Sequence, residues 1–285
     1  MMRIGQASLK DALSLLEQPI PSEFVTRVTP LEFQEYIRLN QVSYRYPNGD
    51  KLVIKDLDLE IRKGSRLGII GESGSGKSTL LDLIMGLICP ITGFIEVDGK
   101  VVIGNMNGAR EVGAELGEDG PPMNIDSWRA HIAHVPQAIF LADSSIVENI
   151  AFGIPKDQID SGRVKRAASQ ARIADVIEGW RDQYRTRVGE RGVRLSGGQR
   201  QRIGNVRALY KHADVIVFDE ATSALDGETE EAVMDAIEGL SKDLTLVVVA
   251  HRLSTLRNCT EIVELGDGGI KRRTSYHQLD ISRIN

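Results

Sequence analysis

The chain has 285 residues, 41% of them hydrophobic and 26% charged, which is ordinary globular composition with length enough for a large core. Lys+Arg number 35 against 40 Asp+Glu, a formal charge of −5, so the average composition carries no footprint for nucleic acid. No segment reaches the roughly 18 apolar residues that a membrane-spanning helix needs, the N-terminus lacks a secretory layout, and Cys89 and Cys259 read as two reduced thiols without metal-type spacing. The chain as written reads as soluble, so a membrane role would need other polypeptide.

Residues 1–35 differ from the rest. Leu9, Leu13 and Leu16 fall at helical spacing, and Pro19 and Pro21 stop the pattern. Two readings stand: an amphipathic leader packed on its own domain, or the tail of a helix continuing from a partner domain. From Tyr36 the pattern turns β-like. Arg38 to Tyr46 reads as a strand ended by the turn cluster Pro47, Asn48, Gly49 and Asp50. Ile54, Leu57, Leu59 and Ile61 predict a second strand, and Arg66 to Ile70 a third that runs into glycines. Lys77 to Leu87 reads as helix and Phe94 to Val97 as strand. Residues 99–125, rich in Gly, Glu and Asn, read as a loop or a small insertion.

Ile132 to Val135 returns to strand, and residues 140–185 are helical in pattern. Val215 to Phe218 and Leu244 to Val249 are continuous apolar runs, which suit central strands of a parallel sheet covered on both faces. Glu228 to Leu240 between them reads as helix. The order of elements is α/β, with a helical block inserted between two parts of the sheet.

Gly71-Glu72-Ser73-Gly74-Ser75-Gly76-Lys77-Ser78 fits G-x-x-x-x-G-K-[ST] between a strand and a helix. Glycines let successive N–H groups turn toward a phosphate, and the helix start adds its positive dipole end. Lys77 supplies a charge for the β and γ phosphates, and the Ser78 hydroxyl can ligate Mg²⁺. The loop by itself defines a site for ATP or GTP. The apolar strand ending in Asp219-Glu220 is the second anchor. Asp219 suits the Mg²⁺ shell, and Glu220 is placed to polarise an attacking water.

Leu195-Ser196-Gly197-Gly198-Gln199 is a second glycine motif opening a helix. One γ-phosphate does not need two such nests from one chain, so a second chain is implied. This string, followed by Arg200-Gln201-Arg202, together with Asp219-Glu220-Ala221-Thr222-Ser223-Ala224-Leu225-Asp226, closely resembles the ABC (ATP-binding cassette) ATPases over residues 36 to 280.

The resemblance implies a P-loop NTPase with a RecA-like mixed-sheet core, an antiparallel β subdomain and an inserted α-helical subdomain. It divides the chain into a 1–35 linker and a 36–285 ATPase domain, with 136–210 as the helical part and 99–125 as a loop insertion. ATP and Mg²⁺ are the implied ligands. Nucleotide contacts fall on Tyr46, stacked on adenine with Tyr44 as competitor, and on Gly71, Ser73, Gly74, Ser75, Gly76, Lys77, Ser78 and Thr79. Ser196, Gly197, Gly198 and Gln199 would close on the partner's ATP, and Asp226 would cross the interface. Gln137 would sense Mg²⁺ and γ-phosphate. Ser78, Gln137 and Asp219 would hold the metal, and Glu220, His251, Lys77 and Gln137 would carry catalysis.

Val188-Gly189-Glu190-Arg191-Gly192 and Ser145-Ile146-Val147-Glu148-Asn149-Ile150 resemble exporter-type members, with Glu190 near the coupling contact. The implied partners are a second ATPase domain, as a homodimer, and an exporter's transmembrane domain in cis or trans. The implied place is the cytoplasmic face of a membrane. The stretch Gly71 to Leu87 also resembles ATPases of lipid-linked oligosaccharide flippases. The competing reading is a non-transport ABC ATPase acting on DNA or ribosomes. The acidic composition and the lack of a basic or coiled-coil insertion oppose it.

Overall fold

A computed structural model describes residues 33–47, 49–104, 125–219, 243–250 and 253–279. The leader leucines, the helix expected over Glu228 to Leu240, and most of the 99–125 segment lie outside these residues.

Two sheets organise the described residues. The first holds β1 (Tyr36–Tyr44), β2 (Ile54–Arg62), β4 (Thr92–Val97) and β5 (Lys100–Gly104) in the order β2-β1-β4-β5, all antiparallel. The second holds β3 (Arg66–Gly71), β6 (Ile132–Val135), β7 (Val215–Asp219), β8 (Thr245–Val249), β9 (Glu261–Gly266) and β10 (Gly269–Thr274). Its order is β10-β9-β3-β8-β7-β6, parallel except for the β9–β10 hairpin. The helices are α1 (Lys77–Ile84), α2 (Ile125–Ala130), α3 (Ile146–Ile150), α4 (Ser161–Gln170), α5 (Ala174–Glu178) and α6 (Gly197–Lys211). This is the mixed sheet, antiparallel subdomain and helical insertion that the motifs implied.

The apolar runs of β7 and β8 behave as their composition requires. Val215, Val217, Val247 and Val249 enter one core with Leu80, Leu83, Ile84 and the antiparallel sheet. Ile216, Phe218, Leu246 and Val248 enter a second core on the opposite face. Alternate side chains of one strand thus feed two cores, which only a strand covered on both sides can do. A third core, from Leu141 to Tyr210, belongs to the helical block.

Three local readings change. The α1 helix ends at Ile84 rather than Leu87, because Gly86 takes φ 70 and breaks it. The buried Trp128 indole donates to Ile84 O at 2.8 Å and Arg129 to Gly86 O at 2.6 Å, so α2 satisfies the carbonyls that α1 leaves open. Lys100–Gly104, within the segment read as loop, is strand β5, with Val102 and Ile103 buried. The packed domain also begins before Tyr36. Phe33 is buried against Trp128, and the N–H groups of Gln34, Glu35 and Tyr36 donate to the Asp98 carboxylate.

Candidate functional site

The parallel strands β3, β8 and β7 all end at the same edge of the sheet. Register places Ile69 beside Val249 and Asp219 beside Val249, so the Gly71 loop and Asp219 stand two strands apart with β8 between them. β6 ends level with Phe218, and Pro136 and Gln137 follow it at that edge. In open α/β sheets this carboxyl edge is where ligands sit.

The loop itself is built to receive an anion. Gly76 caps α1 in the left-handed region at φ 98, and no side chain caps the helix. A Cβ there would lie 2.9 Å from Ile54 Cδ1 and 3.1 Å from Val53 O, so only glycine fits. The first turn carries no acidic residue to neutralise its dipole. Lys77 is buried, and its ammonium lies along the inside of the loop, donating to Gly71 O at 2.8 Å and Glu72 O at 2.9 Å. Ser75 Oγ is buried with no hydrogen-bond partner. Ser73, Gly74 and Ser78 are exposed around it. Uncapped N–H groups, a buried lysine and an orphaned hydroxyl together match the oxygens of a polyphosphate.

Tyr46 is 44% exposed, while Tyr44 is buried in the first core. The two rings meet edge to face at 5.1 Å, and the Tyr46 hydroxyl shares a 3.1 Å hydrogen bond with Thr79 Oγ1. Of the competing tyrosines, only Tyr46 has a ring face free beside the phosphate loop.

Asp219 is half-buried and Gln137 exposed. Two residues outside the expected set share their surroundings. Burial raises the Asp82 carboxyl above its ordinary range; His134 keeps an exposed edge, and the partial desolvation of its imidazole lowers it, with Asp219 and Asp82 pulling it partly back up. Among the described residues no group of three or more His, Cys, Asp or Glu forms a metal site by itself. A Mg²⁺ ion held by one hydroxyl, one carboxylate and nucleotide oxygens fits that sparse donor set. Glu220, Asp226 and His251 lie outside the described residues.

Ser196 and Gln199 close a full capping box on α6. Ser196 Oγ accepts from Gln199 N at 3.2 Å, and Gln199 Oε1 accepts from Ser196 N at 3.0 Å. Leu195 packs in the helical core, whereas Ser196 and Gly197 are exposed, with Gly198 and Gln199 half-buried. Among the described residues no hydrogen bond or ion pair joins Ser196–Gln199 to the Gly71–Ser78 loop. Glu190, on a short exposed turn just before this motif, follows Gly189 at φ 75 and precedes Arg191 at φ 52.

One surface escaped the sequence reading. A groove of about 770 Å³ opens between the sheet edge β6 and the helical block, lined by Leu87, His134, Phe152, Ile154, Arg163 and Arg207 among others. Leu87, Phe152 and Ile154 are 56%, 55% and 43% exposed. Leu87 lies far along the chain from Phe152 and Ile154, so no local pattern could announce the groove. Exposed apolar side chains gathered in one groove, unlike ones scattered singly, are unusual on a surface that meets only water.

A profile of the ABC transporter family matches residues 54–223, and the chain belongs to that family. Lipid A-core flippases and ABC transporters of family B are among the relatives that match over most of the chain, and its fold is that of an exporter-type nucleotide-binding domain. It is 36% identical to an ATP-dependent lipid A-core flippase of Cupriavidus metallidurans, over 96% of this chain and 43% of the flippase. It is also 36% identical to ATP-binding cassette sub-family B member 5 of Homo sapiens, over 89% of this chain and 19% of that protein. A bacterial Atm1-family ABC exporter with ATP bound superposes with a TM-score of 0.78 at 31% identity, covering 97% of this chain and 45% of that one. The chain thus spans less than half the length of each of these relatives.

Proposed function

We propose that this chain is the ATP-hydrolysing part of an ABC exporter, pairing head to tail with a second copy around two MgATP. The observation that carries this reading is the separation of two glycine-bearing helix starts. One stands at the sheet edge at Gly76 and the other on the helical block at Ser196, and among the described residues no hydrogen bond or ion pair joins the two. A nucleotide on the first is completed by the second only if that comes from another chain.

Within each composite site Lys77 and the loop amides hold the β and γ phosphates, and Tyr46 stacks on the base. Ser78, Asp219 and Gln137 would hold Mg²⁺, which would neutralise charge on the phosphates. Glu220 polarises the water and His251 holds the γ-phosphate geometry. The groove around Leu87, Phe152 and Ile154, with Glu190, is the surface for a transmembrane domain at the cytoplasmic face. Among the described residues no helix is long and apolar enough to cross a membrane, so the path for cargo lies in that partner. The flippase relatives make a lipid-anchored glycan the favoured cargo class.

Phosphate release in the presence of Mg²⁺ and ATP tests the reading. The wild-type chain should turn over, and Glu220→Gln should lose turnover by roughly a hundredfold or more while binding ATP as before. Equal turnover by the two proteins would remove Glu220 from the chemistry.

A further inference from the structure

Arg207 lies past the middle of α6, the helix that opens with Ser196–Gln199. Its Nε donates to Asn149 O at 3.0 Å and its Nη2 to Phe140 O at 3.1 Å. The guanidinium carbon sits 4.9 Å from the centre of the Phe152 ring in the groove. Its partners among the described residues are two carbonyls and a ring, with no carboxylate. Burial pulls its pKa down, yet a guanidinium stays charged at any ordinary pH. A half-buried cation with neutral partners is a costly choice, and an apolar side chain would pack there more cheaply. What the arginine adds is a planar fork that spans two separate pieces of backbone.

Those two pieces belong to one stretch. Phe140 lies in the irregular segment between Gln137 and α3. Asn149, fully buried at the end of α3, holds the remainder. Its Nδ2 donates to Ala142 O, Ser144 Oγ and Ser145 O, and its Oδ1 accepts from Ala142 N at 2.9 Å.

We propose that Arg207 is a positioning residue that locks the segment following Gln137, and the Phe152 ring of the groove, to the helix bearing Ser196–Gln199. A push on the groove then moves Gln137 and the Ser196 start as one body. This role rests on the reading of Gln137 and Ser196 as phosphate-facing groups. It adds the element that keeps them in step.

The test uses the 285-residue chain with Arg207→Met and Arg207→Lys, followed by MgATP hydrolysis and amide hydrogen exchange. In Arg207→Met, kcat should fall roughly ten- to hundredfold, as misplacement by a remote contact does, while KM for ATP stays within about twofold. Arg207→Lys reaches one carbonyl at a time and should recover only part of kcat. Exchange across residues 138–144, which include the Ala142 amide, should quicken by about fivefold or more on loss of the latch, with α4 unchanged. The proposal is overturned if Arg207→Met keeps wild-type kcat, if exchange over 138–144 is unaltered, or if α4 loosens equally. Absence of hydrolysis by the wild type would fail the ATPase reading alone, and the exchange measurement would still decide the latch.

Discussion

The two glycine-bearing helix starts are constructed in opposite ways. At α1 the cap is a left-handed glycine with no side-chain hydrogen bond, a buried lysine and an orphaned Ser75 hydroxyl nearby. At α6 the cap is a serine whose capping box is complete. A cap of the second kind contributes about 1 kcal/mol to its helix, ligand or no ligand. A start of the first kind leaves its N–H groups and the positive end of its dipole to be met from outside. In the function proposed here the α1 start is the one that recruits nucleotide, and the α6 start, already capped, is brought up to a phosphate held elsewhere.

The contrast can be broken most sharply at Lys77. Lys77→Ala should weaken MgATP binding roughly a hundredfold, the loss of charge-assisted contacts to phosphate, in a fluorescent-nucleotide titration. An unchanged affinity would mean that the loop is not the recruiting site. Ser196→Ala sharpens the other half. It should leave ATP affinity at the loop as it was, lower hydrolysis by roughly a hundredfold as one lost phosphate donor does, and cost about 1 kcal/mol of stability through the cap. A parallel loss of affinity would erase the distinction between the two starts.

The smallest effect belongs to α3, which carries a capping box of Ser145 and Glu148 without any glycine motif. Here the cap is structural alone. Lys156 and then Ser145 hold the Glu148 carboxyl down to about 2 from an ordinary 4.5. A depressed carboxylate contributes stability that is complete above about pH 4.5 and is lost as the pH falls through about 2. Glu148→Ala should therefore cost about 1 kcal/mol at neutral pH, with wild type and variant converging in urea melts toward pH 2. ATP affinity should not move, and a gap that persists into acid would locate the cap's worth elsewhere.

Much of this was legible in the chain. The Gly71 to Ser78 string, the apolar runs of β7 and β8 and the Leu195 to Gln199 motif are local, so sequence alone places them on their elements. Residues whose role depends on register or on distant neighbours were harder. Tyr44 and Tyr46 have the same parity and would share one face of a regular strand. β1 ends at Tyr44, so Tyr44 keeps the strand's inward face while Tyr46 lies past the strand end, outside the alternation, and stays exposed. β5 was hidden by the Gly, Glu and Asn content of the stretch that follows it, although Val101, Val102 and Ile103 form a short apolar run. His134 belongs to none of the motifs, yet its strand brings it into the field of Asp219 and Asp82. Phe152, Leu87 and Arg207 meet only because the helical block folds back on β6. Their shared groove is a product of topology.

The central claim is that the phosphate loop of one chain is completed by the Ser196 start of another. Sedimentation of Glu220→Gln with and without MgATP tests it most directly. The account predicts the mass of a single chain without nucleotide, twice that mass with it, and no doubling once Ser196→Ala is added to the same chain. A Glu220→Gln chain that binds MgATP yet sediments as a single chain at every concentration would contradict it.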